Sequence, residues 1–157
     1  MKLSEIMCPE LILPDLHSKT PRGILLEFSN AIEATGKFPE ALHIFERLYD
    51  REQQESTGIG NGLAIPHCKV DQLPNVVLAV GYSEEGVDFN AADGKPTHYF
   101  FLVVSPSGDS VLHLRVLAAL SRLLKSPTFQ AHLTTKPNPE EFISFVKEEE
   151  ERTPVAS

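Results

Sequence analysis

Between Ser56 and Lys69 the chain reads STGIGNGLAIPHCK. Three glycines at alternate positions, Gly58, Gly60 and Gly62, let the backbone reach positive φ and bring bare N–H groups close to an anion. Ser56, Thr57 and Asn61 can add side-chain hydrogen bonds to such a site. His67 follows Pro66, whose ring restricts φ and so gives the imidazole a defined direction. A neutral imidazole carries one nucleophilic nitrogen, and a hydrogen bond to the other nitrogen selects the tautomer. The chemistry on offer is therefore acceptance of a phosphoryl group. The same residues also describe a tight turn that leads into a buried strand. Nucleotide loops do not fit. The Walker pattern GxxxxGK[ST] is absent, and a dinucleotide fingerprint would need glycine where Leu63 or Ile65 stands.

The elements that must position these residues can be read around them. Thr20 is an N-cap with Pro21 at the first helical position. Ile24, Leu25, Phe28, Ala31 and Ile32 then share one helical face, and Gly36 supplies a stop. A second helix is expected from Pro39 to about Asp50, with Leu42, Phe45 and Tyr49 inward. Strands follow at Leu63 to Ile65, Val76 to Tyr82 and Tyr99 to Ser105. The two longer ones are continuous apolar runs, as expected where both faces of a strand are covered. Asp93-Gly94 with Pro96 marks a turn between them. Ser110 is expected to cap a long helix whose apolar positions are Val111, Leu114, Val116, Leu117, Leu120 and Leu124. Two shorter helices lie around Phe129 and Phe142. Helices, then strands, then helices give an α/β sandwich with a mixed sheet flanked by helices, a single domain over residues 1–152 with a tail at 153–157.

Composition narrows the function classes. The 157 residues include 41% hydrophobic and 23% charged side chains, as in an ordinary soluble domain with one core. A formal net charge of −8 argues against a general nucleic-acid binder and suits a partner that presents positive charge. Two cysteines, Cys8 and Cys68, without a CxxC pair imply no disulfide framework and fit a reducing cytoplasm. No apolar run nears the ~18 residues of a membrane span, and no signal-peptide core stands at the N-terminus. A zinc site at His67, Cys68 and His113 lacks a fourth ligand. His17, His43, His98 and His132 stand in no motif and are assigned no role.

Arg51-Glu52, STGIGNGLAIPH and the later HLRVLAALSRLL (113–124) together resemble the EIIA domain of the fructose/mannitol class in the bacterial phosphotransferase system. The resemblance runs from the first helix through the last. In the absence of a fused domain it is strongest to the nitrogen-regulatory EIIA. It implies that His67 takes a phosphoryl group from the phosphocarrier HPr or its nitrogen-branch relative. It further implies that His113 donates a hydrogen bond to that group and that Arg51 neutralises its oxygens. By themselves, Val111-Leu112-His113-Leu114 would read as a core histidine and Arg51 as a charge closing a helix. Ser56, Thr57, Gly58, Gly60, Asn61 and Gly62 would complete the phosphate site. No cofactor or metal is implied. The protein would be a phosphohistidine relay rather than a turnover enzyme, with regulatory target proteins or a separate EIIB as further partners. No nucleic acid or membrane insertion would be involved. A module that binds an anion without being phosphorylated is the alternative from another class. One departure stands out: the family usually has glycine where this chain has Cys68, and a side chain there is expected to narrow the space beside the phosphoryl group.

Overall fold

The computed structural model describes residues 2–38 and 43–152. The expected start of the second helix at Pro39, its inward Leu42, and the tail at 153–157 lie outside the described residues. Two long strands form the middle of the sheet, β5 (Val77–Val87) and β6 (Thr97–Pro106). They pair antiparallel from Val77↔Val104 to Tyr82↔Tyr99, and the register then shifts before Val87↔Thr97. A two-residue strand, β1 (Ile12–Leu13), adds in parallel to the outer edge of β5. It was not expected from the segment ELILPDL, because two residues are too few to show a period.

The other edge of β6 positions the site. Two short strands lie along it in parallel, one after the other: β3 (Leu63–Ala64) opposite Tyr99 and Phe100, and β4 (His67–Val70) opposite Val103 to Pro106. Ile65-Pro66 separates them. Pro66 has no N–H to give, but its carbonyl accepts the Val103 N–H at 2.9 Å, so the chain stays tied to β6 across the break. β2 (Gly58–Gly60) folds back antiparallel on β3. The turn between β2 and β3 holds Gly60, Asn61 and Gly62 at φ 88, 57 and 77°. Glycine adopts such angles without steric cost, and asparagine tolerates them. The six-stranded sheet is mixed, as expected.

Helices cover both faces. α1 (Pro21–Ala34) and α2 (Ile44–Gln54) bury Ile24, Leu25, Phe28, Ile32, Ile44 and Leu48 against Ala79, Phe100, Leu102 and Val104. α3 (Ser110–Lys125), α4 (Pro127–Leu133) and α5 (Pro139–Arg152) bury Val116, Leu120, Phe129, Phe142 and Val146 against Leu78, Val80, Phe101 and Val103. Alternate residues of β6 thus feed two cores, each full burial of a large apolar side chain contributing about 1.5–3 kcal/mol. Thr20 caps α1 as expected, accepting from the Gly23 N–H.

Three expectations are corrected. Asp109, not Ser110, caps α3, because its carboxylate accepts the Leu112 N–H at 3.0 Å. Val111 and Leu114 are not core positions: they are 60% and 66% exposed. The buried stripe of α3 runs instead through His113, Val116, Leu120 and Leu124, displacing its neighbours outward. In α2 the inward residues are Ile44 and Leu48, while Phe45 and Tyr49 stack on each other at its half-buried flank.

Candidate phosphoryl-acceptor site

His67 opens β4, and alternation along that strand divides its side chains. His67 and Lys69 face outward, whereas Cys68 and Val70 enter the core beneath α1 and α2. The expected crowding by Cys68 beside the imidazole is therefore corrected: the thiol packs on the other face of the sheet. Burial pushes its pKa up to about 12, with Arg47 opposing, so it carries no thiolate to react. The same burial removes it from any zinc set with the two histidines.

The His67 ring is half-buried, and its Nδ1 lies 2.8 Å from the Ile65 carbonyl oxygen. A carbonyl can only accept, so Nδ1 carries the proton and the lone pair sits on Nε2. Burial lowers the pKa of the ring from its usual value. The Ile65 carbonyl opposes that shift, and the Arg51 charge adds to it. Near neutral pH the ring is thus an uncharged base with its nucleophilic nitrogen defined.

His113, in the first turn of α3, approaches from the helical layer, with ring centroids 5.5 Å apart and planes inclined at 52°. Its Nδ1 lies 2.7 Å from the Oγ of Ser105, a fully buried residue of β6. No other described side chain or carbonyl takes the Ser105 hydroxyl proton. A hydroxyl that received a bond from Nδ1–H would leave its own proton unpaired in the core, at a cost of about 1–3 kcal/mol. The favoured arrangement has Ser105 donating to Nδ1, which puts the His113 proton on Nε2. Burial, and then the Lys69 charge and the positive charge His67 would carry if protonated, push the His113 pKa down to about 4. The site therefore pairs one neutral ring that offers a lone pair with another that offers an N–H.

Two cations stand at the rim of a strongly acidic chain. Arg51, in the last turn of α2, donates from Nη1 to the Glu55 carbonyl at 2.9 Å, and its charge reaches His67. Lys69 donates from Nζ to Ser110 Oγ at 3.2 Å, tying β4 to the start of α3. Sequence reasoning missed Lys69 and Ser105. The sole signal for Ser105 was a hydroxyl ending an apolar run, and alternation outward of His67 pointed to Lys69.

The glycine stretch is placed differently. The Gly58 N–H donates to Ser56 Oγ, which itself donates to the Phe89 carbonyl. The Asn61 N–H donates to Asp93, whose side chain also fills the space beside Gly60. The Gly62 carbonyl accepts from the His98 and Tyr99 N–H groups. Leu63 is opposite Tyr99 and His67 opposite Val103, four residues along β6 or about 13 Å. The structure thus pairs His67 with His113, sets the Arg51 charge near enough to act on His67 and places Thr57 behind the ring; it does not bring Gly60, Asn61 and Gly62 to the imidazole.

Residues 5–149 match the family model described as phosphoenolpyruvate-dependent sugar phosphotransferase system, EIIA 2. A nitrogen regulatory protein of Bradyrhizobium diazoefficiens is 35% identical over 126 residues, covering 80% of this chain and 81% of that protein. The fructose-specific EIIABC component of Bacillus subtilis is 31% identical over 148 residues, 94% of this chain but only 23% of that longer protein. The crystal structure of the nitrogen regulatory protein IIA-Ntr from Neisseria meningitidis superposes with a TM-score of 0.83 at 28% identity, covering 92% of this chain and 98% of that one. With residues 5–149 matching the family model and nearly all of its length superposing on a solved relative, the chain belongs to the EIIA 2 family of the phosphoenolpyruvate-dependent sugar phosphotransferase system.

Proposed function

We propose that this protein is a phosphoryl carrier, reversibly phosphorylated on His67 Nε2 by an HPr-type phosphocarrier, and that it acts in the cytoplasm through phosphorylation-dependent protein binding. The observation that carries the reading is the fixed tautomer: the bond from Nδ1 to the Ile65 carbonyl leaves the Nε2 lone pair free. In the transfer step that lone pair attacks phosphorus in line. A new N–P bond forms as the N–P bond of the phosphohistidine donor breaks, and the donor imidazole leaves with the electron pair. His67 keeps its Nδ1 proton, so the phosphorylated ring gains positive charge against the Ile65 carbonyl dipole. His113 Nε2–H donates to a phosphoryl oxygen and the Arg51 guanidinium balances its charge. No step calls for a metal or nucleotide.

The regulatory use is supported by the likeness to nitrogen regulatory proteins over most of their length. Passage of the phosphoryl group to an EIIB, the alternative use, is supported by the fructose-specific relative. With Nδ1 still protonated, the phosphoryl group's roughly −2 and the ring's +1 add a net charge of about −1 to a chain that already carries −8. An interface formed over the neutral imidazole would then have to bury that anion, so regulatory partners are expected to bind the unphosphorylated form.

The test is incubation with phosphoenolpyruvate, enzyme I and the phosphocarrier, followed by intact-mass measurement. Wild type gains one phosphoryl group and His67→Ala gains none while keeping its circular-dichroism spectrum. Undiminished labelling of His67→Ala removes the reading, and a wild type that takes up nothing leaves only an anion-binding module.

A further inference from the structure

A pair of hydrogen bonds side by side, then two in series, connect the last turn of α2 to the His67 ring. The Glu52 carboxylate accepts the Thr57 N–H at 2.7 Å on one oxygen and the Thr57 hydroxyl at 2.6 Å on the other. The Thr57 carbonyl accepts the Ile65 N–H at 3.0 Å. The Ile65 carbonyl in turn accepts from His67 Nδ1 at 2.8 Å. We propose that Glu52 is a positioning residue for His67: by clamping Thr57 it aligns the two peptide units that hold the imidazole proton on Nδ1 and keep Nε2 nucleophilic. The inference rests on His67 being the phosphoryl acceptor, but its structural half can be tested without any phosphoryl donor.

Several features set this carboxylate apart from a surface acid. Thr57 is buried, at 7% exposure, so its N–H and hydroxyl have no water to turn to if Glu52 is removed. Glu52 itself is placed unfavourably, in the last turn of a helix where the dipole disfavours an anion. Burial raises its pKa, with the two Thr57 bonds and the Arg51 charge opposing. A carboxylate kept where both burial and the dipole oppose it must be held by what it grips, and both of its oxygens grip Thr57. The short, charge-assisted bonds make that grip stiff. The Ile65-Pro66 break in β6 pairing explains why the clamp is needed. Pro66 has no N–H to add to the ladder immediately before the histidine, and the Ile65 N–H is held by the Thr57 carbonyl, just ahead of β2.

The experiment reads the ring nitrogens of His67 by long-range proton–nitrogen correlation on the 15N-labelled protein, with no donor present. In wild type, Nδ1 should appear as the protonated nitrogen and Nε2 as the bare one. Glu52→Ala should move both nitrogens toward the averaged shifts of exchanging tautomers and slow phosphoryl uptake by roughly tenfold. Glu52→Gln should restore the wild-type pattern, because its amide oxygen can accept the Thr57 N–H while its NH₂ donates to the hydroxyl. Should Glu52→Ala fail to fold, Glu52→Asp carries the test: one methylene shorter, it cannot span both bonds and should shift the nitrogens in the same direction. A wild-type nitrogen pattern in a folded Glu52→Ala or Glu52→Asp protein overturns the proposal. So does a Glu52→Gln protein whose ring behaves like that of Glu52→Ala. Failure of His67 to take a phosphoryl group at all would show in the uptake assay alone and leave the tautomer result intact.

Discussion

Two buried oxygen groups prepare the two histidines in opposite senses. The Ile65 carbonyl can only accept, so it fixes the His67 proton on Nδ1, while the Ser105 hydroxyl has one proton to give and directs the His113 proton to Nε2. A nucleophile and a donor are thereby set side by side with neither ring charged. Ser105→Ala should release the His113 tautomer without touching His67. Losing one hydrogen bond of about 0.5–1.5 kcal/mol corresponds to roughly a threefold to tenfold slower phosphoryl uptake. Ser105→Thr, which keeps the hydroxyl, should recover much of the rate. Rapid-quench measurement of the phosphorylated fraction checks both, and wild-type kinetics in Ser105→Ala would separate the serine from the chemistry.

At the scale of elements, α3 does two jobs with one amphipathic pattern. One stripe buries His113, Val116 and Leu120 on the sheet, while Val111 and Leu114 are turned to solvent on either side of the histidine. With His67 as the proposed acceptor, these large exposed aliphatic groups beside the ring pair are the surface a phosphocarrier is expected to cover. Leu114→Glu should therefore leave stability within about 0.5 kcal/mol, since the side chain is exposed. It should nevertheless slow uptake from the phosphocarrier several-fold by putting a charge where the partner docks. Surface-plasmon titration of the phosphocarrier against both proteins, with a urea melt as control, decides it. Unchanged affinity would move docking off this end of α3.

The whole molecule carries a stability cost for keeping His113 neutral. The unfolded chain has this histidine near its usual pKa of 6.5, whereas burial lowers it to about 4 in the fold. Between those values the unfolded state binds a proton that the native state refuses, so stability falls as pH falls from 6.5 toward 4. A shift of this size is worth up to about 3 kcal/mol from this group. His67, lowered in the same direction by burial, adds to the slope. Urea midpoints across that pH range should decline in wild type and decline less in His113→Gln. Parallel curves for the two proteins would show that His113 titrates normally in the fold.

The sequence by itself determined the α/β sandwich and the family, and it singled out His67 and His113, whose rings the structure sets side by side, and Arg51, whose charge acts on His67. Continuous apolar runs announce strands covered on both faces, and a histidine held behind a proline announces a directed ring. Those signals are local, and local periodicity survives in one dimension. Only the tertiary structure decided that the alternate glycines shape a hairpin with its tip beside Asp93 rather than at the imidazole, since amides five to nine residues before His67 can still be turned away along a strand. It alone decided that Cys68 enters the opposite core, because the face of a strand residue depends on where β4 begins. Glu52, Ser105 and Lys69 reach the site through hydrogen bonds, registry and charge that join distant segments. The alternation that turns Lys69 outward is legible only once the start of β4 is known, and the bonds of Glu52 and Ser105 leave no period in the sequence, so all three form only once β3, β4 and α3 have been laid along β6.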